Sequence, residues 1–575
     1  MANDPTPRPE YPRPQLRRED WLNCNGVWSF EIDHGVSGRA RGLSEADELA
    51  DEITVPFPPE SELSGVGHTD FMDAVWYRRE VSIPEEWFDQ RVRLHFGAVD
   101  YESEVWVNGE SVGTHRGGYT PFSFDITDSA TPGTNVITVC ARDDTRSDIQ
   151  PSGKQSQRYE SHGPYYSRVT GIWQTVWIEP VPETHIDSLR FEPDPHNGVL
   201  HAEIRLSAPM NDGELQTTAQ LDGTTVGTAT VEVDGRHAHV VLEVDDVCQW
   251  WPDDPVLYDL DLKLLQNGER IDATESYFGL RSVTLGDECV YINDEPLFQR
   301  LVLDQGYYPD GLYTAPSDEA LANDIEIAKA VGFNGARLHE KVFEPRYLYH
   351  ADRLGFLVWV EHANWGLDHA RADALGPFLQ EWIDVVKRDY NHPAVVGWTP
   401  FNETDANQDE ELLRTVYRTT KVLDPARPVI DTSGWHHVET DLVDAHEYEQ
   451  DPESFRSMFG EIDGRVEPTS HDHTVWSDRL SYVSEYGGIW WNADPEAEGW
   501  GYGDRPEDEA EFFDRYRGMT ETLLGNEKMW AFCYTQLYDI EQETNGIYTY
   551  DREPKFAPER IREINGQEAA FERVS

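Results

Sequence analysis

From about residue 284 onward, the chain repeats one pattern: a short apolar strand, a polar loop and an amphipathic helix. Strands are predicted at 297–303, 334–339, 357–362, 395–403, 429–434, 444–448, 482–487 and 529–537. Helical periodicity lies at 318–331, 344–354, 374–390, 408–424, 507–525 and 557–573, and the intervals after the fifth and sixth strands are less clear. Eight strands joined through helices match the count of a closed (β/α)8 barrel. We therefore predict a TIM barrel over residues 284–575.

The first half of the chain is predicted to consist of β-strands. Between about residues 20 and 180, β-branched and aromatic residues alternate with polar ones, and Asn108-Gly109 predicts a type I′ hairpin turn. A second series of short strands, at 201–208, 214–222, 237–244 and 258–266, has the spacing of an immunoglobulin-like sandwich. The predicted domains are a β-sandwich over residues 1–182, an immunoglobulin-like β-sandwich over 183–283, and the barrel.

The charge balance is strongly acidic. The chain has 575 residues, with 47 Lys+Arg against 109 Asp+Glu and a net charge of −62, and only 8 of its cations are lysines. Aromatic residues make up 12% of the chain, which predicts a folded protein and not an acidic disordered one. Binding to nucleic acid is excluded, because phosphates require clustered Lys and Arg. We expect a halophilic surface, since molar salt shortens the screening length to ~3 Å and weakens self-repulsion.

No targeting, membrane or metal-binding pattern is recognisable. The N-terminal segment has no apolar core typical of a signal peptide, and no apolar stretch is long enough for a transmembrane helix. Five scattered cysteines predict neither disulfides nor a zinc site, and the histidines at 436–437 and 471–473 are expected to be exposed loop residues. We expect a cytoplasmic protein in a salt-in cytosol, without cofactor, metal or membrane partner, and homo-oligomerisation stays open.

The rule that barrel active sites lie at the C-terminal ends of the strands selects a set of polar residues. These are Asp304, Arg337, His339, Glu361, Asn402, Glu403, His446, Tyr448, Glu485 and Gln536. Glu403 and Glu485 follow strands that are three apart, so their side chains should face each other across the barrel mouth. Two opposed carboxylates are suited to glycoside hydrolysis, where one protonates the leaving oxygen and the other meets the developing oxocarbenium ion.

Two motifs at these strand ends carry a resemblance to a known family. GWTPFNET, which contains Asn402 and Glu403, is similar to the acid/base motif of glycoside hydrolase family 2, and SEYG, which contains Glu485, is similar to its nucleophile motif. The stretches WVNGESVGTHRGGYTPFSFDIT and GIWQTVWIE resemble the family's N-terminal sugar-binding, jelly-roll sandwich. The resemblance covers essentially the whole chain and implies a retaining glycosidase.

The resemblance also assigns roles to residues. It implies that Glu403 is the general acid/base, that Glu485 is the nucleophile, and that Asn402 binds the 2-hydroxyl of the sugar. Arg337 is expected to keep Glu485 ionised, and Tyr448 to donate a hydrogen bond to Glu485. The remaining expected sugar contacts are aromatic walls from Trp365 and Trp530 and polar contacts from His339, His446 and Asp304.

The sugar is less clear than the family. Glucuronidases of the family carry an Asn-x-Lys that grips the uronate, whereas this chain has Glu543-Thr544-Asn545 at the corresponding positions. An acid there would repel a uronate, which favours an exo-β-glycosidase for neutral sugars, with β-galactosidase ahead of β-mannosidase, α-L-arabinosidase or a fucose-specific enzyme. β-Glucuronidase, a transglycosylase and a non-catalytic carbohydrate-binding protein remain alternatives.

Overall fold

The computed structural model describes residues 6–245, 247–460, 481–492, 494, 496 and 498–574. The chain forms two β-sandwiches followed by a barrel, in the order that the sequence predicts. Apart from residues 471–473, which lie outside the described part, all the residues named above are covered.

The first sandwich packs a six-stranded antiparallel sheet against a four-stranded one, and apolar side chains of both sheets form one core. In order across the larger sheet, the strands are Asp51–Val55, Gly26–Ile32, Val75–Ile83, Gly133–Arg142, Glu102–Val107 and Glu110–Arg116. The smaller sheet contains Leu22–Asn23, Val176–Val181, Arg91–Phe96 and Phe122–Asp125, and a further pair joins Gly171–Ile172 to Val99–Asp100.

The predicted turn at Asn108-Gly109 is confirmed. Both residues have positive φ, 51° and 81°, and they join two antiparallel strands of the six-stranded sheet. Among the described residues of this sandwich, the helical pieces are short, as predicted: Gly38–Arg41, with 3-10 turns at Pro14–Leu16, Leu43–Glu45 and Glu85–Asp89.

The second sandwich differs from the prediction in its strand lengths. The segments 201–208 and 214–222 belong to one continuous strand, Val199–Leu221, which pairs along its length with Thr224–Glu243. The ladder shifts register on either side of Met210, so bulges bend the two strands where the sequence pattern predicted a break. Ile186–Asp194, Tyr258–Gln266 and Glu269–Phe278 complete this five-stranded sheet.

Within the second sandwich, a two-stranded pair, Trp250–Trp251 with Asp254–Pro255, precedes Tyr258–Gln266. A three-stranded sheet of Val283–Leu285, Val290–Ile292 and Glu295–Pro296 then precedes the barrel. The barrel strands are Gln299–Asp304, Gly335–Leu338, Leu357–Glu361, Val395–Thr399 with its continuation Phe401–Asn402, Thr432–Ser433, Val443–Glu447, Ser481–Gly487 and Ala531–Thr535. Seven of them form one parallel sheet, and the two-residue fifth strand pairs with Phe401–Asn402. All eight predicted strands are therefore present, but the fifth is reduced to two residues.

Helices surround the barrel at Asp318–Ala330, Pro345–Leu354, Leu375–Asp389, Glu410–Leu423, Pro452–Phe459, Glu509–Leu524, Pro558–Asn565 and Ala570–Val574, with a 3-10 turn at Ala372–Ala374. The helix Pro452–Phe459 follows the sixth strand, in one of the intervals where periodicity gave no clear prediction. Several helices begin at side-chain caps: Ser317, Asp409, Asp451 and Asp508 each accept a hydrogen bond from a backbone N–H of the first turn. None of the helices in the described part of the chain is long and apolar enough to span a membrane.

A long loop of the first sandwich, residues 143–170, reaches the C-terminal end of the barrel. The backbone N–H groups of Ser152 and Gly153 donate to the carbonyl of Trp365, at 3.0 and 2.9 Å, and Ser167 N–H donates to Glu541 Oε1 at 2.9 Å. These contacts make the sandwich part of the wall around the barrel mouth.

Candidate active site

Glu403 and Glu485 face each other at the barrel mouth, with His446 between them. An oxygen of each carboxylate and a ring nitrogen of His446 all lie within 4.8 Å of one another. His446 Nδ1 is 2.7 Å from Glu403 Oε1, and its Nε2 is 3.4 Å from Glu485 Oε1. The facing arrangement predicted from strand order is therefore present. The short separation leaves no gap of the size that an inverting glycosidase needs for its water, about 6.5–9.5 Å between carboxyls.

Arg337 is the cation at the centre of the site. It is fully buried on the second strand, where its Nη1 is 2.9 Å from Glu485 Oε1 and its Nε donates to Glu361 Oε2 at 2.6 Å. Its Nη2 donates to Asn402 Oδ1 at 2.6 Å. Because a planar guanidinium can serve several acceptors in fixed directions, Arg337 sets the relative positions of Glu485 and Asn402.

Glu485 is held as a carboxylate. Burial raises its pKa, but His446, Arg337, His339 and a hydrogen bond from the Tyr448 hydroxyl outweigh burial and lower the pKa of Glu485 to about 2. Tyr448 donates to Glu485 Oε2, as the sequence predicted, and its ring stacks on Tyr502 with 3.4 Å between centroids. A permanently ionised, oriented carboxylate can act as a nucleophile.

A β-bulge orients Glu485. Val483 of the seventh strand pairs with Ala445 of the sixth, and the next pair joins Glu485 to His446. Ser484 therefore has no partner in this ladder and is the extra, bulged residue. The ladder with the eighth strand shifts at the same point. Bulges of this kind redirect the next side chain, and this one places Glu485 beside Arg337, whose Nη1 also donates to the Ser484 carbonyl at 3.1 Å.

Glu403 adopts a strained backbone conformation. Its φ is +50°, a region that side chains other than glycine rarely adopt. The N–H of Glu403 donates to the carbonyl of Ser433 on the fifth strand at 2.8 Å, which holds the turn in place. The short fifth strand therefore serves to fix the position of Glu403. Its side chain is 17% exposed, more than that of Glu485 at 5%, so it faces the open side of the site.

Asn402 is anchored on three sides and keeps one donor free. Its N–H donates to Asn364 Oδ1 at 2.7 Å, its carbonyl accepts from Asn364 Nδ2 at 3.0 Å, and its Oδ1 accepts from Arg337. Its buried Nδ2 has no hydrogen-bond partner among the described residues. This leaves an oriented N–H donor next to Glu403, which is what the predicted contact with a sugar hydroxyl requires.

The two predicted histidines occupy different electrostatic settings. Although burial lowers the pKa of His446, Glu485 and Glu403 raise it above the ordinary value, which favours its cationic form. His339 is also buried, and burial together with the positive charges of Lys154 and Arg337 lowers its pKa well below the ordinary value. His446 therefore contributes positive charge to the carboxylate pair, whereas His339 is a neutral ring whose Nδ1 is 3.0 Å from Arg337 Nη2.

Trp530 requires a correction. It precedes the eighth strand, Ala531–Thr535, and therefore lies at the N-terminal end of the barrel, opposite the carboxylates. It is fully buried and packs against Tyr482, with ring centroids 5.0 Å apart. The predicted strand began two residues too early because the apolar run Met529-Trp530 extends the β pattern into the loop. Trp530 fills the barrel core and does not wall the site.

Asp304 and Trp365 lie at the barrel mouth, but their contacts differ from the predicted polar sugar contact and aromatic wall. Asp304 accepts hydrogen bonds from the Tyr538 hydroxyl, the Tyr347 hydroxyl and the Gly306 N–H, so it braces the end of the first strand. Burial raises the pKa of Asp304 to about 6. Nothing in these contacts supports the expected sugar contact. Trp365 is half-buried at the mouth, but one face of its ring carries Lys154.

Two residues of the site, Glu340 and Lys154, were not assigned a role from the sequence, and a third, Glu543, was considered only as an acid that would repel a uronate. Glu340 and Glu543 are buried, and burial raises the pKa of both carboxyls. Glu543 accepts hydrogen bonds from Tyr166 and Asn545. Glu340 follows His339 directly at the end of the second strand, so the strand-end rule could have selected it. Lys154 comes from the sandwich loop, and the sequence offered no signal for it beyond the rarity of lysine.

Glu403, His446 and Glu485 are also close enough to hold a metal ion. The chemistry of the donors argues for a different use. Arg337 already lies 2.9 Å from Glu485 Oε1, and a cation on His446 faces both carboxylates, so the positive charge that a metal would supply is present. The arrangement fits one carboxylate, Glu485, that is held ionised and a second, Glu403, that faces the open side of the site, as acid–base and nucleophilic catalysis at one bond requires.

The comparisons with known proteins show the family of the chain. The model of the sugar binding domain of glycosyl hydrolases family 2 matches residues 66–176, the model of glycosyl hydrolases family 2 matches 184–281, and that of the family's TIM barrel domain matches 314–461. The chain belongs to glycosyl hydrolase family 2. It is a glycoside hydrolase, with the three-domain architecture that the sequence predicted.

Relatives within the family differ in their named activities. A β-galactosidase of Thermoanaerobacter pseudethanolicus is 27% identical over 428 residues, 72% of this chain and only 55% of that protein. A β-glucuronidase of Paenibacillus borealis is 25% identical over 614 residues, 97% of this chain and 98% of that protein. Human β-glucuronidase is 27% identical over 73% of this chain and 69% of its own.

Solved structures show the same fold. The β-glucuronidase of Ruminococcus gnavus in complex with D-glucuronic acid superposes with a TM-score of 0.80 at 17% identity, covering 97% of this chain and 99% of that one. The two sandwiches and the barrel are therefore arranged alike in both proteins.

Proposed function

We propose that this protein is a retaining exo-β-glycosidase that acts by double displacement, with Glu485 as nucleophile and Glu403 as general acid/base. The observation that carries the proposal is the pair of facing carboxylates, with oxygens within 4.8 Å, of which Glu485 is held ionised by Arg337. Retaining enzymes place their carboxyls about 5–5.5 Å apart, close enough for one of them to bond to the anomeric carbon.

The first step forms a glycosyl-enzyme. Glu485 attacks the anomeric carbon with an electron pair, and the bond to the leaving oxygen breaks as Glu403 transfers its proton to that oxygen. Glu403 is then a carboxylate. It removes a proton from an incoming water, whose oxygen bonds to the anomeric carbon and releases Glu485. The Nδ2 donor of Asn402 is placed to bind the 2-hydroxyl, an interaction that strengthens in the transition state.

Two terminal sugars are candidates. The activities named for most of the relatives and for the solved structures favour a β-D-glucuronide. The absence of the Asn-x-Lys lysine and the presence of Glu543 in the site favour a neutral sugar, with a β-D-galactoside first, as in the Thermoanaerobacter relative. The non-catalytic alternative predicts that a carboxylate has been lost, whereas both are present.

The test is hydrolysis of α- and β-linked nitrophenyl galactoside, glucuronide, mannoside, arabinoside and fucoside in molar KCl. We expect turnover of at least one β-linked substrate, an initial product with retained configuration by NMR, and loss of turnover in Glu485→Gln. Absence of turnover across the panel, or an inverted product, would contradict the proposal.

A further inference from the structure

Lys154 is a cation that the first sandwich places in the active site of the barrel. Only 7% of the residue is exposed, and its Nζ lies 3.8 Å from the centroid of the Trp365 ring. Lys154 is one of 8 lysines in a chain of 575 residues, and it belongs to the loop 143–170, far in sequence from every barrel strand.

The backbone around Lys154 is built for this position. Gly153 has a φ of +57°, and a Cβ atom there would lie 2.3 Å from the carbonyl oxygen of Glu340, so only glycine permits the approach. The Gly153 N–H donates to the Trp365 carbonyl, and the Lys154 carbonyl accepts from the Tyr166 N–H at 2.8 Å. The loop is therefore fixed to the ends of the second and third strands, and Lys154 enters the site between them.

The surroundings of Lys154 are those of the sugar pocket. Its charge lowers the pKa of His339, and it counters the effect of burial on Glu340 and Glu543. The Gly153 backbone lies against the carbonyl of Glu340, the residue after His339, and His339 Nδ1 is 4.0 Å from Glu485 Oε1, so Lys154 enters on the side of the site that holds the proposed nucleophile.

The Lys154 ammonium has donors to spare. Within the described part of the chain, Lys154 Nζ forms no hydrogen bond and no ion pair. Glu543 accepts hydrogen bonds from Tyr166 and Asn545, and Glu340 Oε2 accepts from the Trp365 N–H, whereas Glu340 Oε1 is buried without a hydrogen-bond partner among the described residues. An ammonium has three donors, and the contact with the face of the Trp365 ring, 3.8 Å from Nζ, leaves them free to reach an acceptor on a ligand.

We propose that Lys154 is a substrate-binding residue that the sandwich contributes to the barrel's active site, and that its ammonium donates to an oxygen of the terminal sugar. The proposal rests on the glycosidase function above. Glu403, Glu485 and Asn402 occupy the side of the site where carbons 1 and 2 must lie, so Lys154 takes an oxygen on the remaining part of the ring. That oxygen is a carboxylate oxygen if it lies on carbon 6 of a uronic acid, and otherwise a hydroxyl. Either can accept a hydrogen bond from an ammonium, and the carboxylate adds the opposite charge.

The experiment compares wild type with Lys154→Met and Lys154→Arg on nitrophenyl β-glycosides of the sugar that wild type hydrolyses best. The panel includes the parent sugar, its 3-deoxy, 4-deoxy and 6-deoxy forms, and the corresponding glucuronide, glucoside and xyloside. Lys528→Met is the matched control, because Lys528 is an exposed lysine outside the site. Thermal unfolding in molar KCl shows whether each variant folds.

We expect Lys154→Met to lower kcat/KM by about 10- to 100-fold, the effect of losing one charge-assisted hydrogen bond. Lys154→Arg should retain more activity than Lys154→Met, and Lys528→Met should match wild type. Removal of one hydroxyl should lower the kcat/KM of wild type but should not lower that of Lys154→Met any further. The reason is that Lys154 and that oxygen act as a pair. A larger loss on the glucuronide than on the glucoside and xyloside identifies the carboxylate as the acceptor. A loss confined to one hydroxyl identifies a neutral sugar.

Two results would overturn the proposal. The first is an unchanged kcat/KM in Lys154→Met. The second is a loss of kcat/KM that has the same size on every substrate, so that the effect of the substitution and the effect of each missing hydroxyl simply add. Either would give Lys154 a structural role only. Failure of the proposed function looks different, because turnover would then be missing in wild type or would survive in Glu485→Gln. In that case, calorimetric binding of glucono- and galactonolactone to wild type and Lys154→Met tests Lys154 alone, and equal affinities would exclude it as a sugar ligand.

Discussion

Replacing His446 with Asn separates its charge from its hydrogen bond. The imidazole Nδ1 lies 2.7 Å from Glu403 Oε1, a distance that an Asn amide at the same position can also span. The amide carries no positive charge to the Glu485 side, where the imidazole Nε2 is 3.4 Å from Oε1. The variant therefore tests how much of the ionisation of Glu485 depends on His446.

The expected size follows from the pKa of Glu485. That pKa falls from an ordinary value of 4.5 to about 2. This change corresponds to about 3 kcal/mol in favour of the carboxylate. Four groups lower the pKa of Glu485, whereas burial raises it. His446 has the largest effect of the four. We expect the His446→Asn substitution to raise the pKa of Glu485 by about 1.

The sign of the pH effect is fixed by the role of Glu485. A nucleophile must be ionised, so activity is lost as the pH falls through its pKa, and a lower pKa extends activity to more acidic pH. Wild type should keep kcat/KM nearly constant from pH 6 down to about pH 3, whereas His446→Asn should lose about half of its kcat/KM by about pH 3, with similar kcat/KM for both near pH 7. The assay is the pH profile of kcat/KM on an activated nitrophenyl glycoside in molar KCl, with tryptophan fluorescence reporting folding at each pH.

The matched control is His339→Asn, since the imidazole Nδ1 of His339 lies 4.0 Å from Glu485 Oε1 and its pKa is far below the ordinary value. In the pH profile of His339→Asn, the fall of kcat/KM at acidic pH (the acidic limb) should shift less from the wild-type position than in His446→Asn. An acidic limb that stays at the wild-type position in His446→Asn, with kcat/KM reduced equally at all pH values, would refute the electrostatic reasoning. It would leave His446 as a positioning residue for Glu403 only.

Three further outcomes are expected. Glu403→Ala should slow glycosides with poor leaving groups much more than dinitrophenyl glycosides, and azide should restore turnover of the latter; equal slowing of both would count against Glu403 as the acid. Trp530→Ala should cost about 3–5 kcal/mol of unfolding free energy in denaturant titrations, because it empties a fully buried site, with KM unchanged; a KM effect without loss of stability would return Trp530 to the site. Removing salt should lower the Tm and activity together because of the net charge of −62; full stability in dilute buffer would contradict the halophilic surface.

The buried acids of the site do not depend on that surface charge. Glu340, Glu361 and Glu543 are buried within the barrel mouth, where salt screens little, and burial raises the pKa of each. Arg337, Lys154 and His446 supply the local positive charge. The pocket thus contains buried acids and cations that lie close to one another.

The architecture and the facing carboxylates Glu403 and Glu485 could be predicted from the sequence. Strand periodicity and helix caps are local, and the rule that barrel strands end at one face needs only their order, so Glu403, Glu485, Arg337 and Tyr448 could be placed without coordinates. The same locality caused the errors: Met529-Trp530 continued a β pattern beyond the true start of the strand, and bulges joined segments that the pattern had separated.

Only the tertiary structure decided how the charges are shared. Three features depend on contacts between residues that are far apart in sequence. His446 lies between the two carboxylates, a bulge at Ser484 redirects Glu485, and Lys154 of the sandwich reaches the barrel mouth. Residues 154 and 365 are 211 positions apart, and no periodicity relates them. The physical reason is that strand and helix patterns record local burial, whereas a side chain's ionisation and partners depend on every element packed around it.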